Sequence, residues 1–322
     1  MSSNLSGELV PGKAHADLSR WVPELVEFAD IEVEIIANID SSLLQPELWL
    51  HLAHRIRDAQ NGGQVDGMVI LHGTDTLAYT ASMLSFLLPD LQFPVVLTGS
   101  QKPLQILRTD ARNNVIGAVE SCIKGPVEVM VFFCDYAFRG NRCTKTAISR
   151  FRAFESPNFP ELGRAGIRWN WHKNDFWPQT RRPSIWPELP ERFPCTPWVI
   201  PWVPGFDLGS LECGLKNHWA IIIEAFGAGN IPLTDESRLC LEKFEKGGGI
   251  IALRSQVQKG GVELDLYAPG KQLFELGVIS ASDMTREALV TKLMAMKALG
   301  LEGSELKNAI TRSLVGELTE VS

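Results

Sequence analysis

Short apolar runs alternate along the chain with stretches of helical period. Residues 31–36 (IEVEII) switch between apolar and charged positions with period two, the pattern of a half-buried strand. Residues 46–59 (PELWLHLAHRIRDA) are amphipathic at helical spacing, with a proline near the start. Residues 67–71 (GMVIL) form an unbroken apolar run, which predicts a strand buried on both faces. Residues 94–99 (PVVLTG) and 127–133 (VEVMVFF) predict two further strands, and residues 75–88 and 109–123 predict helices between them. Strand and helix in alternation point to right-handed β-α-β units on a parallel sheet.

The pattern resumes further on. Residues 218–232 read as a strand ending in a glycine-rich turn, and 234–246 as a helix with Thr234 or Asp235 as its N-cap. Residues 247–256 read as a strand and 284–299 as a helix. Between Trp169 and Phe206 lie 6 of the 9 tryptophans and 8 of the 19 prolines. Such proline density disfavours helix and central strand, while the tryptophans need apolar surface to cover. The expected architecture is therefore α/β with two domains. Residues 1–170 hold the larger, mostly parallel sheet flanked by helices, 171–206 an ordered linker, and 207–322 a smaller α/β domain.

Composition narrows the function classes. The 322 residues, 45% of them hydrophobic, suffice for two ordinary cores. Acidic residues outnumber basic ones 38 to 31, and a net charge of -7 disfavours a nucleic-acid partner. No apolar run approaches the ~18 residues of a membrane span. The opening MSSNLSGELVPG lacks the basic and apolar regions of a signal peptide, which implies a cytoplasmic protein. Six cysteines without C-x-x-C spacing read as reduced, mostly buried thiols. His51 and His54 could share a helix face, but nothing around them has metal-ligand spacing, so neither metal nor cofactor is expected.

Ligands of parallel sheets bind beyond the carboxyl ends of the strands. Four polar clusters fall at such ends: NIDSS (38–42), HGTDT (72–76), TGSQKP (98–103) and GAGN (227–230). In HGTDT, Gly73 lets the backbone turn sharply and Asp75 sits near a helix start, where a carboxylate is favoured. A helix cap formed by Thr74, Asp75 or Thr76 explains the motif equally well, as a cap of the following helix explains DSS. A lysine beside a threonine hydroxyl in a dry cleft can act as a general base, and Lys145 in RGNRCTKT (139–146) is the candidate. Acyl transfer or amide hydrolysis, and binding of a small polar molecule, remain the two classes.

VILHGTDTLAYTASMLSFLL, PVVLTGSQKPL, DSS followed by a P-E-x-W helix, RGNRCTKT and AFESPN together resemble the L-asparaginases, most of all the bacterial cytoplasmic type I form. The resemblance implies hydrolysis of L-asparagine to L-aspartate and ammonia without metal or cofactor. It implies that Thr74, Asp75 and Lys145 are catalytic, with Asp75 also holding the substrate α-ammonium. Ser41 and Ser42 would bind the α-carboxylate, the backbone around Gly73 and Ser100 would line the pocket, and Asn230 would be lent by a neighbouring subunit of a homo-oligomer.

One family feature is missing. Members begin with a buried strand ending in T-G-G-T-I-G, whose threonine is the nucleophile, and no T-G-G-T occurs in this sequence. Two explanations fit: a true start upstream of Met1, or a natural amino-acid-binding homologue without the nucleophile. Either way, this chain is expected to be a poor asparaginase with a destabilised fold. A third reading, an ammonia-releasing subunit of a tRNA-linked amidotransferase, is disfavoured by the acidic charge.

Overall fold

A computed structural model describes residues 2–3, 9–10, 18–63, 65–178, 180, 188–264 and 268–320. The chain divides into two units, Met1–Leu189 and Pro190–Ser322.

The first unit is built on six strands: β1 (Met68–Leu71), β2 (Val95–Thr98), β3 (Val129–Phe133), β4 (Tyr136–Arg139), β5 (Gly163–Arg164) and β6 (Asn170–Trp171). Their spatial order is β6-β5-β4-β3-β2-β1. The pairs β1/β2 and β2/β3 are parallel, while β3/β4, β4/β5 and β5/β6 are antiparallel. The sheet is thus mixed, not mostly parallel. The change comes at Cys134 and Asp135, both with positive φ (49° and 71°), which turn the chain straight back with no room for a crossover helix. Three helices flank the sheet: α1 (Pro46–Gly62), α2 (Leu77–Leu87) and α3 (Ala111–Lys124). Helix α3 lies close because Gly117 has no side chain; a Cβ there would stand 2.1 Å from the Phe132 ring.

Two expectations fail together. Strand β1 is only half-buried, and Leu71 is 46% exposed. Residues 31–36 join no ladder, and Ile31, Val33 and Ile35 are exposed. The physical reason is shared. Among the described residues β1 is an edge strand paired with β2 alone, and no strand stands beside 31–36. A period-two pattern dictates which face is apolar, not whether a partner is present.

The second unit carries a wholly parallel sheet of β7 (Trp198–Pro201), β8 (Ala220–Ala225), β9 (Ile250–Ser255) and β10 (Ile279–Ser280), in that order. Strand β7 lies inside the stretch expected to be a linker. Its edge position accommodates Pro201, which has no N–H to give a ladder. The tryptophans do cover apolar surface: Trp169 and Trp171 stack at 4.6 Å on the Phe132 cluster, and Trp202 is fully buried. Residues 179 and 181–187 of that stretch lie outside the described residues. Helices α4 (Asp235–Lys246) and α5 (Arg286–Ala298) are capped by Thr234 and Thr285, whose hydroxyls accept the Ser237 and Ala288 N–H groups.

A fully buried ion pair, Lys292 on α5 with Glu317, closes at 2.5 Å. Lys292 Nζ also donates to the Ile310 and Arg312 carbonyls, and Glu317 accepts the Leu314 and Val315 N–H groups. Desolvation pulls the Lys292 pKa down, against the pull of the Glu317 charge.

Packing sets two expected outcomes. Lys292→Met leaves Glu317 buried without its cation and is expected to destabilise the chain by about 3–5 kcal/mol, read as a lower denaturation midpoint. The open β1 edge and, separately, the exposed Ile31, Val33 and Ile35 are expected to drive open-ended association, relieved in part by Val33→Lys with Ile35→Lys. Light scattering that grows with concentration equally in the unaltered chain and in the double variant would refute the second.

Candidate active site

The site grows from the carboxyl end of β1. The ladder to β2 extends one step past Leu71, where His72 N–H donates to the Thr98 carbonyl at 2.8 Å. The chain must then turn. A Cβ on Gly73 would stand 2.5 Å from Ser41 Oγ, and one on Gly99 would stand 2.2 Å from the His72 carbonyl oxygen. Both positions therefore require glycine. Thr76 Oγ1 donates to the Ser41 carbonyl at 2.8 Å and ties the turn to the segment before α1.

The cap reading of HGTDT does not survive. Thr76 is the N-cap residue of α2, but its side chain accepts no N–H from the helix; only its carbonyl does, from Thr80 at 3.0 Å. Thr74 and Asp75 turn instead to Lys145, whose Nζ lies 2.8 Å from Thr74 Oγ1 and 2.6 Å from Asp75 Oδ1. Lys145 is held by a short antiparallel pair, Thr144–Lys145 against Phe154–Glu155. Its side chain is 17% exposed, while that of Asp75 is 60% exposed and open to a ligand. The cap reading of DSS is also corrected. Asp40 caps its own short turn, Ser41–Leu43, by accepting Ser42 N–H at 2.8 Å and Ser42 Oγ at 2.7 Å. Those two bonds hold the Asp40 carboxyl below its ordinary pKa. Helix α1 has no side-chain cap and starts on Pro46.

The expected residues therefore separate. Thr74, Asp75 and Lys145 meet, and Ser41 packs against Gly73. The Ser42 donors are taken up by Asp40. Ser100 stands half-buried in the turn after β2. Asn230 lies in the second unit, where its backbone pairs with Phe226 in a tight turn.

Three residues received no role from the sequence, although Gln101 lies inside the TGSQKP cluster. Gln101 Oε1 lies 3.4 Å from Thr74 Oγ1, and its amide nitrogen donates to the Ile148 and Arg150 carbonyls. Asp110 accepts the Gln101 and Lys102 N–H groups at 2.9 and 3.0 Å. Asn114 donates to the Gly99 carbonyl and to Asp110. Asp110 just ahead of a helix reads as an ordinary cap; its side chain makes no cap bond and holds the turn of the neighbouring strand instead.

A hydroxyl, an ammonium and a carboxylate in contact can hold a proton near a bound electrophile and pair with a ligand ammonium. The family model "Asparaginase, N-terminal" matches residues 1–176, and "Glutaminase/Asparaginase C-terminal domain" matches residues 199–310. The chain belongs to the asparaginase family. It is similar to L-asparaginase 1 of Escherichia coli (strain K12), with 36% identity over 92% of this chain and 86% of that one. A glutamyl-tRNA(Gln) amidotransferase subunit of Pyrococcus furiosus is 31% identical over 98% of this chain and 73% of its own length. The crystal structure of L-asparaginase I from Vibrio cholerae matches with a TM-score of 0.89 at 35% identity, covering 99% of this chain and 96% of that one. The two-domain asparaginase fold and membership in an amidohydrolase family are thereby shown.

The Asp110 bonds are testable apart from turnover. Hydrogen bonds to a charged group are worth about 1.5–3 kcal/mol each. Asp110→Ala is therefore expected to speed amide exchange at Gln101 and Lys102 at least about tenfold, with α3 amides unaffected. Unchanged exchange at both would remove Asp110 from this role.

Proposed function

We propose that this chain is an L-asparagine amidohydrolase in which Thr74, Lys145 and Asp75 act as one unit. The carrying observation is Lys145 Nζ within hydrogen-bond reach of both Thr74 Oγ1 and Asp75 Oδ1. Asp75 pairs with the α-ammonium of the substrate and orients Lys145. Lys145, in its neutral form, takes the Thr74 proton; as the ammonium it returns a proton to the departing nitrogen. Ser41 and the backbone N–H groups around Gly73 and Ser100 receive the substrate's carboxylate and amide. The Ser42 donors serve there only after release from Asp40. Asn230 completes the site from a second copy in a homo-oligomer. Water then attacks the Thr74 ester, giving its proton to neutral Lys145, which returns it to the Thr74 oxygen as L-aspartate leaves; the products are L-aspartate and ammonia, and no cofactor takes part. The free cysteines among the described residues accord with a cytoplasmic protein. No helix among the described residues is long and apolar enough to cross a membrane.

The absence of T-G-G-T from the sequence bears on rate. An acyl-enzyme route then falls to Thr74, a hydroxyl placed for proton relay, and turnover sits several orders of magnitude below that of a member with its own nucleophile. A second reading is an amino-acid-binding homologue without turnover. Ammonia release from L-asparagine, paired with calorimetric titration of L-aspartate, separates the two. The expected outcome is slow release in the unaltered chain, lowered about 10²–10⁴-fold further by Lys145→Ala or Thr74→Val. Binding without any ammonia would leave the binding homologue standing; neither binding nor release would sink both.

A further inference from the structure

Beside the Thr74–Lys145–Asp75 cluster lies a second set of polar groups that the proposed chemistry does not use. The His72 ring puts Nδ1 2.7 Å from the Gly73 carbonyl oxygen and Nε2 2.9 Å from Thr80 Oγ1 on α2. The indole Nε1 of Trp49, on α1, lies 2.9 Å from the same Thr80 oxygen. Thr80 is fully buried and Trp49 nearly so.

Proton counting leaves one arrangement. The Trp49 indole can only donate, so Thr80 Oγ1 accepts from it. The Gly73 carbonyl can only accept, so His72 Nδ1 carries a hydrogen. In a neutral ring Nε2 is then bare, and the Thr80 hydroxyl hydrogen fills it. Every polar atom in the chain Trp49–Thr80–His72–Gly73 is satisfied. Burial pulls the His72 pKa down, against the opposite pull of the Gly73 carbonyl, which agrees with a neutral ring.

The chain ends on the peptide that links Gly73 to Thr74. No peptide bond among the described residues is cis, so the Gly73 C=O and the Thr74 N–H point in opposite directions. Pinning the carbonyl toward the ring aims the Thr74 N–H away from it. That N–H donates to no described residue. We infer that His72 is a positioning residue, which through Nδ1–H fixes the Gly73–Thr74 peptide so that the Thr74 N–H stands ready for the oxygen of a bound amide. Trp49 and Thr80 fix the ring's tautomer. This also gives a reason for tryptophan in the P-E-x-W segment, where helical packing asks only for a large apolar residue.

The inference rests on the amidohydrolase reading, so its test includes readouts that need no turnover. Long-range ¹⁵N–¹H correlation on the unaltered chain is expected to show His72 protonated at Nδ1 and bare at Nε2 near neutral pH. A ring protonated at Nε2, or at both nitrogens, would overturn it. His72→Asn keeps a donor near the Nδ1 position, whereas His72→Gln places one near Nε2. The Thr74 amide resonance is expected to move in His72→Ala and in Thr80→Val, and to return toward its original position in His72→Asn but not in His72→Gln. If Gln restores it as well as Asn, the role belongs to packing and the inference fails. Where ammonia release is measurable, His72→Ala is expected to lower kcat about 10–100-fold with KM changed less than about threefold, since an oxyanion donor is worth about 10²–10³-fold in kcat. An effect confined to KM would also overturn it. An unaltered chain that releases no ammonia would refute the hydrolase reading, while the tautomer and the Thr74 resonance still decide the placement of the peptide.

Discussion

The site depends on one steric constraint: backbone must pass where no side chain fits. At Gly73 the missing Cβ leaves room for the Ser41 side chain, and at Gly99 it leaves room for the His72 carbonyl. These approaches bring the ends of β1 and β2 and the turn before α1 within hydrogen-bond reach. Thr76 and Asn114 then lock them with bonds of 2.8 and 2.9 Å. A larger residue at Gly73 would push Ser41 away from the turn, and one at Gly99 would push the β2 end away from His72. The glycines are geometric requirements here, and the reactive side chains follow from them.

Much of this is legible in the sequence because the elements announce themselves locally. The apolar runs at β2 and β3, the helical spacing of α1 and α3, and Thr234 ahead of α4 fall where the periodicities place them. The polar clusters at strand ends follow from how parallel sheets expose their carboxyl edges. What escapes depends on partners distant in sequence. Residues 31–36 have the period of a strand, yet alternation is silent about a neighbour. The turn at Cys134 and Asp135 looks like any loop, though two positive φ values there make the sheet mixed. Tryptophan and proline in the middle of the chain conceal β7, whose hydrogen bonds run to residues about twenty positions later, Trp198 opposite Ile221.

The site residues divide in the same way. Thr74 and Asp75 are adjacent, and a single motif carries both. Lys145 is joined to Thr74 across 71 positions, and only folding brings them to 2.8 Å. Gln101 lies in the TGSQKP cluster, but its reach to Thr74 and to the Ile148 and Arg150 carbonyls is set only by folding, and Asp110 acts mainly on backbone groups of the turn after β2. His72 stands inside a visible motif, yet its role lies in the two partners of its ring rather than in any reactivity of its own.

The second unit bears on folding specificity through Glu224. In the parallel register of β8 and β9, Glu224 stands opposite Arg254, and its carboxylate also takes the Arg286 guanidinium at 2.7 Å. Burial alone would raise the Glu224 pKa; the Arg286 and Arg254 guanidiniums outweigh it and hold the carboxyl below its ordinary value. The runs around it, AIIIEA and IIALRS, are otherwise apolar and nearly interchangeable in their shapes. A slip of one residue would set the carboxylate against Leu253 or Ser255 and take Arg254 from it, leaving the buried group to Arg286 alone. The ion pair thus works as an alignment key: among the apolar pairings two such strands could sample, it admits one.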